Sequence, residues 1–140
     1  MDELDRQLIG LLRRNARQPV ASLAKSLQVA RGTVQNRLAK LERDGAIVGY
    51  TVRLRSQLDE QHITALMAIA VEGTRADAVL RTLRGDPAVQ TLHTTNGRWD
   101  IIAELRADSL VAFDSVLSRI RMVEGIAQTE TSLLLSTHKL

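Results

Sequence analysis

The sequence predicts an α+β protein made of two small units, a helical one followed by a strand-rich one. In the first part of the chain, apolar residues recur at helical spacing. From residue 63 onwards, β-branched apolar runs alternate with helical segments in the order strand, helix, strand, strand, helix, strand. The 140 residues suit one ordinary domain or two very small ones, and a hydrophobic content of 44% suits a packed core.

Three helices are predicted in the first unit. The first is followed by Pro19, which stops it or restarts the chain. A tight turn around residues 28–30 separates the second helix from the third, and Gly45 after Asp44 is placed as a C-terminal cap. The apolar positions that define the three helices are Leu4, Leu8, Leu11 and Leu12, then Val20, Leu23, Ala24 and Leu27, then Val34, Leu38 and Leu41.

The spacing of apolar residues becomes alternating after Gly45. This alternation predicts a small β-ribbon over residues 47–54. Residues 55–62 are almost entirely polar and are interpreted as a linker. We therefore expect one domain at residues 1–54 and a second at residues 63–140.

The second unit has the order of the split βαβ, ferredoxin-like pattern, which gives a four-stranded antiparallel sheet with both helices on one face. Asn96–Gly97 predicts a two-residue hairpin turn, because both positions tolerate positive φ. Asp108 is placed to cap the second helix of this unit. The predicted strands are Ile63–Val71, Val89–Thr95, Arg98 or Trp99 to Leu105, and Ile126–Leu135.

The apolar pattern of the strands predicts a partner for the sheet. The first strand is apolar at nearly every position and Leu133–Leu135 are consecutive, which indicates apolar side chains on both faces. A large apolar patch left exposed on a monomer would be a liability. We therefore expect a second copy to cover the free face in a homodimer, the alternative being that residues 1–55 fold back over it.

Charge is unevenly distributed along the chain. Residues 1–55 carry 11 Lys and Arg against five Asp and Glu, whereas residues 56–140 carry eight against 11. A basic N-terminal unit suggests a surface for a polyanion, the alternative being a solvated, arginine-rich helix face. Residues 19–44 have the dimensions of a helix-turn-helix, so double-stranded DNA is the expected partner, although such a motif can also be a purely structural unit.

The third helix carries the residue types that DNA contacts require. Arg bonds guanine bidentately, Asn and Gln bond adenine, and Lys and Thr suit phosphates. Gly32 either lets the helix approach the groove closely or only eases the turn. Because the N-terminal part of a recognition helix reaches base edges, the expected base-reading residues are Arg31, Thr33, Gln35 and Asn36, and the expected phosphate contacts are Arg37, Lys40 and Arg43.

Several function classes are excluded or disfavoured. The chain has no cysteine, which excludes disulfides, thiolate metal sites and cysteine nucleophiles. His62, His93 and His138 are widely spaced and form no metal-ligand or catalytic pattern, so we expect no catalytic residue, metal or cofactor. No apolar run could span a bilayer and the N-terminus has no basic leader, so we expect no membrane partner and a cytoplasmic location.

Four segments, in order and over nearly the whole length, carry a family resemblance: LDRQLIGLLRRNAR, SLAKSLQVARGTVQNRLAKLERDGAIVGY, DPAVQTLHTTNGRWDIIAEL and VEGIAQTETSLLL. In them the chain resembles the Lrp/AsnC family of amino-acid-responsive regulators, and the stretch from Leu41 to Tyr50 is fairly specific. The resemblance implies a winged helix-turn-helix, a ferredoxin-like effector and assembly domain, and dimers that associate into tetramers or octamers.

The resemblance also implies an amino-acid site at subunit interfaces, formed in part by the loop between the second and third strands. Here Asp100 would pair with an α-ammonium, and Arg98 or loop N–H groups would receive an α-carboxylate. The alternative is that this loop is only a hairpin turn, with Trp99 packing and Asp100 on the surface. The candidate effector-binding residues are Asn96, Gly97, Arg98, Trp99, Asp100 and Thr131, with Ser132 as a further option.

Two rival functions remain at this point. One is an enzyme, since some haem-pathway decarboxylases resemble the family, but an enzyme would not need a basic third helix. The other is an architectural protein that bends DNA with little sequence preference. A regulator should instead prefer its operator over random DNA by roughly 10³-fold or more.

Overall fold

The computed structural model describes residues 1–54 and 62–139. The chain forms two compact units, Met1–Arg53 and Leu54–Leu140. None of the helices in the described residues is long and apolar enough to cross a membrane. The elements are α1 (Glu3–Arg14), α2 (Val20–Leu27) and α3 (Arg31–Arg43) in the first unit, then β1 (Ile63–Val71), α4 (Ala76–Arg84), β2 (Val89–Thr94), β3 (Ile101–Ala107), α5 (Leu110–Arg121) and β4 (Ile126–Leu133) in the second.

The first unit packs around the apolar positions that define its helices. Leu8, Leu23 and Val34 are the central side chains, each at most 1% exposed. The turn after α2 passes through Gln28, whose φ of 56° lies in the left-handed region. Gly45, with φ of 73°, follows Asp44, the C-cap residue of α3, so the predicted glycine cap is confirmed.

The second unit is the predicted ferredoxin-like sandwich. Its four antiparallel strands lie in the order β2-β3-β1-β4. One face of the sheet packs against α4 and α5, and side chains from both layers are fully or almost fully buried there. The buried strand residues are Ala65, Met67, Ile69, Ile101, Ala103, Leu105 and Ala107, and the buried helix residues are Val79, Leu83, Phe113, Val116 and Ile120.

The other face of the sheet carries apolar side chains mainly on β1. Paired residues of antiparallel strands share a face, so Leu66 lies between Glu104 of β3 and Ser132 of β4. Leu133 pairs with the buried Ala65 and therefore lies on the helix side, where it is 42% exposed. The free face is an apolar stripe on β1 flanked by side chains that are polar except for Ile102 of β3.

The predicted two-residue hairpin at Asn96–Gly97 is wrong. β2 ends at Thr94 and β3 begins at Ile101, and neither turn residue has positive φ. The loop of residues 95–100 is organised instead by the hydroxyl of Thr95, which accepts the Gly97 N–H at 3.1 Å and donates to the Trp99 carbonyl. A side-chain hydrogen bond thus replaces the left-handed turn.

Two further local predictions are corrected. Residues 47–54 form no strand, because alternation alone supplies no partner backbone and none of the described residues pairs with this segment. Ser109, not Asp108, caps α5 by accepting the Ala112 N–H at 3.1 Å, while Asp108 bonds His62 at 2.9 Å. Apart from His62, the predicted linker lies outside the described residues.

Candidate nucleic-acid interface and effector loop

The helix-turn-helix is formed by α2, the turn at Gln28 and α3. Helix α3 turns Val34 and Leu41 inwards, where they are 1% and 5% exposed. Its N-cap, Ala30, makes no side-chain cap hydrogen bond, so the first N–H groups of the helix are not bonded by a capping side chain. Such N–H groups at a helix start suit an anion.

The outer face of α3 gathers most of the predicted DNA-binding residues. Gly32 and Ala39, two turns apart, lie in the middle of this face, and both are exposed. Longer polar and basic side chains surround these two small residues, a shape that fits the edges of base pairs and the phosphates beside them. The exposed predicted residues are Arg31, Gly32, Gln35, Asn36, Lys40 and Arg43, while Thr33 is half-buried.

Most of the basic groups on this face are free for a polyanion. Within residues 1–54, Arg31 and Lys40 make no ion pair. Arg43 lies 3.7 Å from Asp44, and both side chains are more than half exposed, so this contact is weak. The face therefore keeps its positive charge.

Glycine at position 32 is not required by the fold. A Cβ added there would meet nothing within 4 Å, and Gly32 does not have positive φ. Glycine inside a helix is nevertheless less favourable than alanine by roughly 0.5–1 kcal/mol. The packing of the first unit alone does not account for this residue.

Arg37 is placed differently from the other predicted phosphate contacts. It lies one turn after Val34, beside the buried stripe of α3. Its guanidinium donates to Asp2 and, at 3.2 Å, to Asp5. The Asp5 backbone N–H and, after it, Arg37 lower the pKa of Asp2 to about 2. The pKa of Arg37 is raised, most by its hydrogen bond to Asp2 and next by its hydrogen bond to Asp5.

Residue types alone did not single out these two acidic partners. Asp2 and Asp5 lie at the N-cap and in the first turn of α1, where a helix dipole favours negative charge. The available signal was the position of Arg37, three residues after Val34 and four before Leu41, which places it next to the apolar stripe.

Tyr50 is a second contact that the sequence did not reveal. Its hydroxyl donates to Glu42 at 2.7 Å, which attaches the segment after α3 to the helix. The pKa of the Tyr50 hydroxyl is raised, mainly by this hydrogen bond to a carboxylate and to a smaller extent by partial burial. The contact occupies the single carboxylate on the exposed side of α3.

The candidate effector loop presents cationic, aromatic and acidic groups close together. The Arg98 guanidinium lies 5.4 Å from the centre of the Trp99 ring. Asp100 is fixed to β1, since one of its carboxylate oxygens accepts the Val71 N–H at 2.9 Å and its own N–H donates to Ile69. The second oxygen of Asp100 has acceptor capacity for a ligand.

Thr131 lies at a different position along the sheet from this loop. It pairs with Met67 on the helix-covered face, whereas Asp100 bonds at Val71, four residues further along β1. Its hydroxyl oxygen is buried and has no partner among the described residues. Ser132 points to the free face with Leu66. In the described part of the chain no group of three His, Asp or Glu side chains is placed to hold a metal.

Both units match known family models. A model of the AsnC-type helix-turn-helix domain matches residues 1–42, and a model of the Lrp/AsnC ligand binding domain matches residues 64–140. An uncharacterised HTH-type transcriptional regulator from Pyrococcus abyssi is 30% identical over 139 residues, which is 99% of this chain and 95% of the relative. The regulator LysM from Saccharolobus solfataricus is 25% identical, over 98% of this chain and 95% of its own length.

Solved structures show the same architecture. The AsnC protein of E. coli superposes with a TM-score of 0.84 at 25% identity, covering 100% of this chain and 95% of that one. A transcriptional regulator from Neisseria meningitidis, solved as a complex with L-Met, superposes with a TM-score of 0.82 at 20% identity, covering 100% and 93% of the two chains.

Proposed function

Because the chain belongs to the Lrp/AsnC family of HTH-type transcriptional regulators, we propose that it binds specific sequences in double-stranded DNA and responds to an amino acid or a related small metabolite. Its relatives are named as transcriptional regulators, not as enzymes. The decarboxylase alternative therefore loses its support. A DNA partner also agrees with the cytoplasmic location that the sequence predicts.

The observation that carries the DNA proposal is the exposed face of α3. Gln35 and Asn36 stand next to the small residues of this face, so they reach adenine edges once the helix enters the major groove. Arg31 and Thr33 lie towards the N-terminal end that reads bases, and Lys40 and Arg43 contact phosphates further along. In this arrangement Gly32 lets the helix approach the base pairs.

Operator selection from random DNA, followed by gel-shift titration with competitor, tests this proposal. We expect the selected sequence to bind roughly 10³-fold more tightly than random DNA. Gln35→Ala combined with Asn36→Ala should reduce this ratio while leaving the salt dependence of binding unchanged, because neither side chain neutralises a phosphate. Equal affinity for all sequences would instead support an architectural protein.

We propose that the second unit binds the effector at residues 95–100, where subunits meet. The match to a ligand binding domain supports a ligand here. Asp100 has one carboxylate oxygen left for an α-ammonium group, and Arg98 is exposed beside it. The Neisseria regulator with L-Met makes amino acids the first class to test. Thr131 contributes only if a pocket extends under β4.

A thermal-shift screen against the amino acids tests the effector site. A ligand that binds only the native state at 100 times its Kd adds about 2.7 kcal/mol of stability. We expect Asp100→Asn, which keeps an acceptor for the Val71 N–H but loses the charge, to abolish the shift. Asp114→Asn, on the exposed side of α5, serves as the matched control and should shift normally. A normal shift in both variants would remove Asp100 from the site.

A further inference from the structure

Asp2, Asp5 and Arg37 form one closed cluster, which we call the Asp–Asp–Arg cluster. Asp2 caps α1 by accepting the Asp5 N–H at 3.0 Å, and its own N–H donates to the Asp5 carboxylate at 3.0 Å. The Arg37 guanidinium donates to the remaining oxygen of each carboxylate. All four carboxylate oxygens of the capping box therefore accept a hydrogen bond.

The charge and burial of the cluster make it unsuitable as a phosphate contact. Two carboxylates surround one guanidinium, so the cluster carries net negative charge and repels a phosphate. The Asp5 side chain is only 6% exposed, whereas that of Arg37 is 32% exposed. If Arg37 moved to a phosphate, it would leave a nearly buried carboxylate without its counter-charge.

The cluster connects α1 and α3. Apolar packing alone would leave the rotation of α3 about its axis loosely defined. Val34 and Leu41 hold α3 against the core of the first unit, but contacts between apolar side chains allow small rotations and slides. Arg37 lies between them along the helix and bonds the first turn of α1 through charge-assisted, directional bonds. These bonds fix how α3 is rotated about its axis relative to α1.

We infer that Arg37 is a positioning residue for DNA recognition, which acts through Asp2 and Asp5 and not through a phosphate. The inference rests on the proposed DNA-binding function. The rotation of α3 decides which side chains face the base edges, so loss of the cluster lowers sequence discrimination. Loss of a phosphate contact would instead weaken binding to all sequences equally and reduce its salt dependence.

The first test is Arg37→Ala in the full-length chain, with gel-shift titrations on the selected operator and on random DNA over a range of salt. We expect the affinity ratio between operator and random DNA to fall at least about tenfold, as for a lost base contact, with an unchanged slope of log affinity against log salt. A retained ratio with a slope lower by about one would identify a phosphate contact and overturn the inference. Arg37→Lys keeps the charge but not the planar geometry, so its ratio should be only partly restored.

The second test is the double variant Asp2→Asn and Asp5→Asn, for which a positioning role and a phosphate contact of Arg37 predict different changes in DNA binding. Asparagine still caps a helix, so α1 keeps its start while the cluster loses its negative charge. A positioning role predicts that the ratio falls as it does in Arg37→Ala. A phosphate-contacting Arg37 would be released instead, so affinity for all DNA would rise at a constant ratio, and this result would contradict the inference.

Lys40→Ala is the matched control, since Lys40 is exposed on the same helix and makes no ion pair within residues 1–54. It should lower the salt slope by about one and keep the ratio. All titrations are made well below the melting temperature of each variant, so that a change in stability alone leaves the ratio unaffected. If the unchanged protein shows no preference for any sequence, the proposed function and this inference both fail. If the preference for the operator is unchanged in Arg37→Ala and in the double aspartate variant, the inference about Arg37 fails while the proposed function stands.

Discussion

Gly125 shows how one residue can be fixed both by its backbone and by its surroundings. Its φ is 99°, and an added Cβ would lie 2.9 Å from the Cβ of Arg75 and 3.1 Å from Cγ2 of Val79. Arg75 cannot easily give way, because it bonds Glu124 at 2.6 Å and precedes the first turn of α4. The start of β4 and the start of α4 therefore meet at a position that admits only glycine.

We predict that Gly125→Ala lowers the free energy of unfolding by about 3 kcal/mol, from backbone strain and overpacking together. Gly73→Ala is the matched control, because Gly73 also has positive φ, at 51°, but an added Cβ there meets nothing within 4 Å. It should lower the free energy of unfolding by only about 1 kcal/mol. Urea denaturation measures both, and equal effects would contradict the role given to the crowding at Arg75.

Asp86 makes part of the stability dependent on pH. Arg119 donates to both of its carboxylate oxygens, at 2.8 and 2.9 Å, and lowers its pKa, with the Ala88 N–H as a smaller contribution. A pKa lowered in the folded state gives stability that is present above the unfolded value, about 3.9, and is lost as the pH falls through the folded value. The pKa of Asp2 is also lowered, so its contribution to stability is likewise lost at low pH.

We therefore predict that the free energy of unfolding decreases as the pH is lowered from 5 towards 2, and that the decrease is smaller in Asp86→Asn. Asparagine cannot be protonated in this range, so its variant lacks that share of the acid sensitivity. Urea denaturation at pH 7 and at pH 3 checks the prediction. An identical loss in both proteins would show that other carboxylates account for it.

At the scale of elements, α3 carries a glycine that its own packing does not need. We predict that Gly32→Ala raises the free energy of unfolding by up to about 1 kcal/mol and weakens operator binding at least about tenfold, because a methyl group is added where the helix meets the groove. Gly10→Ala in α1 is the matched control. It is also exposed with nothing within 4 Å, and it should stabilise the unit without changing DNA affinity. Thermal melts and gel shifts measure both effects, and unchanged DNA binding in Gly32→Ala would remove Gly32 from the interface.

The elements that could be predicted from the sequence are those that depend on periodicity. β1 has the predicted bounds, and α1 to α3 follow the spacing of their apolar residues. The alternation over residues 47–54 gave a wrong strand, because a strand also needs a partner backbone that the pattern cannot specify. The loop at 95–100 was mispredicted for a similar reason, since the hydroxyl of Thr95 competes with the left-handed turn.

The DNA-binding site could be predicted only as a set of residue types on one helix. Spacing placed Gln35, Asn36 and Lys40 on the exposed face, as the structure has them. Spacing could not show that Arg37 is held by the first turn of α1, because that contact joins residues 32 and 35 positions apart in the chain. Long-range pairs of this kind depend on how the helices pack, which residue types do not determine.

At the scale of the whole molecule, the homodimer predicted from the sequence can be tested at the free face of the sheet. Leu66 lies at the centre of this face and is 41% exposed in the single chain. A second copy packed there would bury it, so we predict that Leu66→Lys places an unpaired charge in the interface and shifts the protein from dimers or larger assemblies to monomers. The single chain tolerates this change, since the position pairs across the sheet with Glu104.

Leu133→Lys is the matched control for this experiment, because Leu133 has almost the same exposure, 42%, but lies on the helix-covered side of the sheet. Light scattering after size-exclusion chromatography at equal protein concentrations compares the two variants with the unchanged protein. Dissociation in Leu66→Lys alone places the subunit interface on the free face. An assembly that survives Leu66→Lys but not Leu133→Lys would place it instead at the edge formed by β4, and the effector loop would then meet a different surface of the neighbouring subunit.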